Sequence, residues 1–368
     1  MVRMRVCFVV SEIFHWGRHG GFGALTRTIG SNLVERGIEV YVATPQRKGQ
    51  KPVETLNDMV VLGYPPHLHS AFSPSVRARI KSIDADIYHS EQPIVGSYIA
   101  MKAAPHRKHI ITFQDPVEKE DRTRMETYAR EPPLPWFKSK AYTLLSEPIR
   151  RKAIRMADAL YCQAKYIIPK VMAMYGLEAP PDFLPNPVEV KRKIIKKAAE
   201  PTVCFVARWD PVKRPDLFFR LAKEFSDVKF IAIGKAHDEK RDRYLRQRYS
   251  QIPNLETPGF VSEEEKYKIL ERSWVMVNTS VHECLPVSFL EAAAHKCAIL
   301  SSENPDDFAE NFGYHVKDDN FAKGLDFLLE DSRWKERGER GFRYVNEFHE
   351  LGEVVDKHIR VYEELLNG

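Results

Sequence analysis

The 368-residue chain has only five cysteines, Cys7, Cys162, Cys204, Cys284 and Cys297, odd in number, scattered, and without the paired spacing of metal ligands. That argues against a disulfide framework and a zinc module, and favours a reducing compartment, the cytoplasm. Long apolar runs are missing too: none approaches the ~20 residues that a membrane-crossing helix needs. The apolar opening at residues 5–10 meets Glu12 at once and has no small-residue cleavage site, so it reads as a buried strand rather than a leader. Charge of one sign is scarce, with 56 basic against 51 acidic residues and a formal net charge of +5. No helix-turn-helix, zinc-finger or RNP-like pattern accompanies that small excess, so nucleic acid is not an expected partner. Brief contact with an anionic membrane surface remains compatible. G-x-G-x-x-G is also absent after the first strand, and no acidic residue stands ready to hold a ribose after the next one. A dinucleotide dehydrogenase is thereby disfavoured.

What is present is alternation. Short apolar runs and longer amphipathic stretches follow one another almost from end to end, the pattern of parallel sheets with crossover helices. A chain of this length exceeds one core, so two α/β domains are expected. The break falls at Pro185-Asn186-Pro187 and the basic stretch that follows, dividing the chain into 1–187 and 188–350.

The densest motif is His282-Glu283-Cys284-Leu285-Pro286-Val287-Ser288-Phe289-Leu290-Glu291, which follows an apolar strand at residues 273–278. Pro286 suits the first turn of a helix. Backbone N–H groups around Cys284, Leu285 and Val287 would then point out of a helix N-terminus, where a phosphate is attracted. Glu283 precedes the helix and Glu291 is expected about two turns inside it, so each can reach one end of a bound molecule. Earlier, Arg208 ends a strand and Lys213 opens a helix in Ala207-Arg208-Trp209-Asp210-Pro211-Val212-Lys213-Arg214. Both cations can converge on the carboxyl edge of a sheet, where α/β folds bind ligands. There they would stabilise a leaving diphosphate.

In the first half, Gly20-Gly21-Phe22-Gly23 joins the first strand's exit to a helix, and glycines there let backbone approach a ligand. His89, Glu91, Gln114 and Asp115 sit on loops expected at the same edge. Asp84-Ala85-Asp86 lies at the opposite edge and reads as a turn rather than a metal-nucleotide motif. Asp306-Asp307 reads as a helix cap. Residues 132–152 mix aromatics, leucines and cations, as a surface meeting lipid headgroups would; a helix hairpin covering a sheet would look the same.

Taken together, these segments resemble the family 4 glycosyltransferases of the GT-B type. Glu283 and Glu291 resemble the E-x7-E motif, and Arg208 with Lys213 resembles G-R-x-x-x-x-K-G, with Ala207 and Arg214 in place of the glycines. Thr112-Phe113-Gln114-Asp115 resembles T-F-H-D, with Gln114 at the histidine. Leu184-Pro185-Asn186-Pro187 resembles the I-P-N-G hinge. The resemblance implies two Rossmann-like, doubly wound parallel-sheet domains facing a cleft, with the helix at 351–366 packing back on the first. It implies retaining transfer of a hexosyl-type group from a nucleoside diphosphate sugar to an acceptor hydroxyl, with no metal and no cofactor.

Under that resemblance Glu283, Arg208 and Lys213 serve the chemistry. Glu291, Cys284, Leu285, Pro286, Val287 and Gly21 hold the donor. Gly20, Phe22, Gly23, His89, Glu91, Gln114 and Asp115 position the sugar or the acceptor, which is left open, a lipid-linked one included. The expected place is the cytoplasm, with the inner membrane face as a further option. A different class stays open as well: a sugar-nucleotide-binding partner subunit that has lost turnover, for which Gln114 and Cys284 speak.

Overall fold

The computed structural model describes residues 3–13, 15, 21–66, 70, 73–128, 136–190 and 194–368, with 136–143 as backbone alone. The chain forms two compact units. The first comprises Met1–Pro116, Pro132–Pro187 and Gly352–Gly368; the second comprises Val117–Glu131 and Val188–Leu351.

Along the first stretch of chain run β1 (Arg5–Val9), α1 (Gly21–Glu35), β2 (Glu39–Pro45), β3 (Val53–Leu56), β4 (Met59–Tyr64), α2 (Pro74–Lys81), β5 (Ile87–Ser90), α3 (Val95–Ala103) and β6 (Lys108–Phe113). After α4 (Lys119–Tyr128), which belongs to the second unit, come α5 (Trp136–Met156), β7 (Ala159–Cys162), α6 (Ile167–Tyr175) and β8 (Asp182–Phe183). These strands make an eight-stranded sheet in the order β3-β4-β2-β1-β5-β6-β7-β8. All its pairs are parallel except the edge hairpin β3–β4. Central strands such as β1 are buried, which is why they read as continuous apolar runs. Helix α1 packs Leu25, Ile29 and Leu33 inward, four residues apart on one face. Asp84 and Asp86 are engaged at the amino edge of β5, where Arg107 binds both, at 2.6 and 3.0 Å.

The second unit holds β9 (Thr202–Val206), α7 (Pro215–Glu224), β10 (Lys229–Ile233), α8 (Glu239–Tyr249), β11 (Leu255–Gly259), α9 (Glu263–Arg272), β12 (Val275–Asn278) and α10 (Val287–Ala294). It continues with β13 (Ala298–Ser301), α11 (Phe308–Phe312), β14 (Gly313–His315), α12 (Phe321–Leu329) and α13 (Arg333–Phe348). Its sheet is wholly parallel, in the order β11-β10-β9-β12-β13-β14. The core is aromatic: Phe205, Phe218, Phe219, Phe230 and Trp209 are all buried within one cluster. Two crossings of the chain pair here, Val188 N–H donating to His349 O at 2.7 Å and Leu351 N–H to Val188 O at 3.0 Å. The closing helix α14 (Leu351–Asn367) lies almost wholly in the first unit.

Each sheet reverses its winding once, between β1 and β5 in the first and between β9 and β12 in the second. At such a switch point two neighbouring loops leave in opposite directions and open a crevice at the carboxyl edge. Among the described residues, no helix is long and apolar enough to cross a membrane.

Candidate active site

The crevice of the second unit is built by the loops after β9 and β12. Glu283 stands five residues beyond β12 and is the hub. Its Oε1 accepts from Lys213 Nζ at 2.5 Å, Ser280 Oγ at 2.6 Å and Asn278 Nδ2 at 3.1 Å. Burial alone would raise its carboxyl; the Lys213 cation and the bonds from Ser280 and Asn278 outweigh it and hold the group below the usual carboxylate range. Glu283 is therefore an oriented anion. Lys213 ends a 3-10 turn over Pro211–Lys213 rather than opening the following helix. Thr279 fixes that turn through its hydroxyl, which lies 2.6 Å from Lys213 O.

Between Glu283 and α10 the backbone is strained. Leu285 has φ +32°, a conformation that bulky residues rarely adopt, and its side chain is buried. Pro286 is the N-cap, outside the first turn where the sequence placed it, and having no N–H it cannot donate to a phosphate. Its part is to shape the entry so that the N–H groups of Val287 and Ser288, which have no carbonyl four residues back within the helix, face outward. Glu291 is the fifth residue of α10, little more than one turn in, not two. Lys266 of α9 binds its Oε1 at 2.6 Å. Burial keeps this carboxyl raised even against the lysine. Cys284 is half-buried, with Sγ 4.0 Å from His282 Nε2.

Arg208 takes a different partner from Lys213. Its Nη1 lies 2.9 Å from Asp210 Oδ2 and 3.0 Å from His237 Nδ1, and its side chain remains 44% exposed. Asp210 also accepts from the His237 backbone at 3.0 Å. The loops after β9 and β10 are thereby laced together, with Arg208 at their rim.

The crevice of the first unit lies after β1 and β5. Gly21 opens α1, where a Cβ would meet nothing within 4 Å among the described residues. Gly23 N–H donates to Glu12 Oε1 at 3.3 Å, and the half-buried Phe22 offers its carbonyl to Thr26 Oγ1 at 3.0 Å. Gly20 lies outside the described residues. Glu91, one residue past β5, is buried. Thr26 Oγ1 donates to its Oε2 at 2.6 Å, while Oε1 has no partner among the described residues. Burial pushes this carboxyl up to about 8, with Thr26 opposing and Glu12 adding.

His89 and Gln114 need correction as ligand contacts. Both His89 nitrogens are engaged inside the unit, with Tyr362 Oη and Thr112 Oγ1 each at 2.8 Å, and burial keeps the ring neutral. Gln114 exchanges reciprocal amide bonds with Asn186, 3.0 and 2.9 Å, and Asn186 reaches Gln163 at 3.2 Å. All three are buried. Asp115 is half-buried beyond β6. On α5, Leu144 and Leu145 are 66% and 62% exposed, but Arg150 and Arg151 both pair with Glu147. The side chains of Trp136 and Phe137 lie outside the described residues.

Sequence reasoning missed Lys266, Asn278, Ser280 and Thr26. Asn278-Thr279-Ser280, a polar triplet closing an apolar strand just before Glu283, was an available signal. Lys266 had none, sitting in a charged helix face like many others.

Comparison with known proteins places this geometry in a class. Sucrose-phosphate synthase from Thermosynechococcus elongatus superposes with a TM-score of 0.74 at 14% identity, covering 99% of this chain and 100% of the other. Anabaena HepE, solved with UDP-glucose, gives 0.72 at 11%, covering 98% and 100%. The lipopolysaccharide outer core galactosyltransferase WaaB gives 0.65 at 15%, covering 98% and 99%. The fold is GT-B. Two family profiles match in succession, Glycosyltransferase Family 4 over residues 19–192 and Glycosyl transferases group 1 over 188–341. The chain belongs to the family 4, group 1 glycosyltransferases. No curated protein sequence matches it significantly.

Proposed function

We propose that this glycosyltransferase moves a hexosyl-type group from a nucleoside diphosphate sugar to an acceptor hydroxyl, with retention at the anomeric carbon and without a metal. The observation that carries the reading is Glu283, an anion fixed by three donors beside the strained entry to α10. A carboxylate so oriented binds sugar hydroxyls with one geometry. Glu291 lies farther along the same helix, suited to ribose hydroxyls, with Lys266 holding its side chain. Arg208, Lys213 and the N–H groups at the start of α10 supply positive potential for the diphosphate, so the protein provides what a metal would. Lys213 must share its charge between Glu283 and the leaving group. Glu91 and Asp115, on loops at the carboxyl edge of the first unit's sheet, are left for the acceptor. The exposed Leu144 and Leu145 support peripheral contact with a membrane and hence a lipid-linked acceptor, and five cysteines without a disulfide among them fit a reducing cytoplasm.

The burial of Gln114 in an amide cluster favours a second reading, nucleotide-sugar binding without turnover. One experiment separates the two: incubation with a panel of nucleoside diphosphate sugars, UDP-glucose first, scored for nucleotide release, with product NMR and a parallel reaction in EDTA. Release with α-configured product from an α-donor, undiminished by EDTA, is expected. Binding without release, an inverted product or loss in EDTA overturns the corresponding part. Arg208→Ala and Lys213→Ala should each weaken nucleoside diphosphate binding by roughly 1.5–3 kcal/mol, the usual cost of a charge-assisted contact. Unchanged affinity by calorimetry would remove that residue from the diphosphate site.

A further inference from the structure

The second unit has a groove of about 460 Å³ that none of Arg208, Lys213, Glu283 or Glu291 lines. Four arginines meet there, Arg214, Arg220, Arg241 and Arg248, against two aspartates, Asp216 and Asp319. The ion pairs do not balance. Arg214 takes Asp319 at 2.7 Å and Arg241 takes Asp216 Oδ2 at 3.3 Å. The second oxygen of Asp216 accepts from Tyr249 Oη at 3.1 Å, so that carboxylate is committed. Arg220 and Arg248 have no acidic partner among the described residues; Arg220 donates to Asp216 O at 3.3 Å, and Arg248 to Tyr244 Oη at 3.0 Å and to the Tyr249 hydroxyl.

The arginines are also held in place by rings. Arg248 lies over Tyr244 and Tyr249, at 5.8 and 5.7 Å, and Arg214 over Tyr128 at 5.4 Å. Guanidinium planes fixed this way match the oxygens of a phosphate two at a time, which ammonium groups do not. The volume is in the range of small-ligand sites. Tyrosine faces with Leu217 and Pro211 give the carbon part of such a ligand a surface.

We infer that this groove is a binding site for a small phosphomonoester of a sugar, separate from the donor site. The phosphate lies between Arg220 and Arg248, and the ring rests against the tyrosines. Arg214 links the groove to the donor loop, since its Nε donates to Thr279 O at 2.6 Å and Thr279 fixes the Lys213 turn.

Calorimetry on the full chain at low ionic strength tests this, with a hexose 6-phosphate, inorganic phosphate and the unphosphorylated hexose as probes. The hexose phosphate should bind saturably and more tightly than phosphate, and the free hexose should not bind. Arg220→Gln with Arg248→Gln, both on exposed positions, should weaken hexose phosphate binding about tenfold or more while nucleoside diphosphate affinity stays unchanged. Lys213→Ala should do the reverse. Equal hexose phosphate affinity in wild type and double variant, no saturable binding to wild type, or equal binding of free hexose overturns the inference.

Discussion

Glu91 is the residue whose chemistry departs furthest from its type. Its carboxyl is buried with one oxygen unpartnered, and its folded pKa of about 8 stands above the ordinary 4.5. Below 4.5 both folded and unfolded chains hold the proton. Between there and about 8 only the folded chain does, so raising pH through that window favours unfolding, by at most roughly 1.4 kcal/mol per pH unit. Above about 8 the penalty is constant. Glu91→Gln keeps an oxygen for Thr26 and cannot ionise. The variant should therefore gain stability over wild type steadily from about pH 5 to about pH 8, read from thermal melts of both proteins. A pH-independent difference would show that Glu91 ionises normally. Residue identity alone hinted at a site here, but not at this protonation, because the burial that raises the carboxyl exists only in the folded packing. The same holds for His89: its type suggested ligand contact, and only Tyr362, 273 residues away, shows it to be a core hydrogen-bonding residue.

At the scale of elements, the loops that carry the site are fixed by close backbone approach. Gly234, just past β10, has φ +123°, and a Cβ there would stand 2.0 Å from Ala207 O, next to Arg208. Gly234→Ala must push the loop after β9 outward. We expect a loss of roughly 1–3 kcal/mol in urea unfolding, together with weaker nucleoside diphosphate binding as Arg208 moves. A variant as stable as wild type, with donor affinity intact, would mean the two loops yield freely. Alternating apolar runs made the central strands and the two-sheet plan legible, since buried parallel strands leave a continuous apolar record. β3 and β14 were not legible: β3 is a half-exposed edge strand, and β14 is three residues long. The starts of α7 and α10 were read one or two residues early, and such errors matter chemically. Pro286 falls one position outside its helix, where it has no N–H to offer a ligand. The motif residues Glu283, Lys213 and Arg208 could be picked out because their chemistry is local to two loops; Lys266 could not, because only the packing of α9 beside α10 brings it to Glu291.

For the whole molecule, the consequential feature is that the chain returns to its beginning. Helix α14 contributes Val354, Val355, His358, Val361 and Tyr362 to the interior of the first unit. Tyr362 bonds His89 at the end of β5, and Asp356 pairs with Arg36 at 2.7 Å. Each fully buried apolar side chain is worth roughly 1.5–3 kcal/mol, so three valines and a tyrosine approach the entire 5–15 kcal/mol by which a typical domain is stable. Without α14 the ring of His89 would also lose its Tyr362 partner. The first unit can thus complete its core only after residues 351–367 are made, although its whole sheet precedes residue 188. Deleting residues 352–368 should leave that unit largely unfolded, seen as loss of amide-exchange protection in β1, β5 and β6, while β9 to β13 keep theirs. Adding the missing segment back as a peptide should restore protection in proportion to its concentration. Full protection of β1 and β5 in the truncated chain would refute the ledger and make α14 an ornament of the fold. Loss of protection in both sheets would show instead that the two units fold as one.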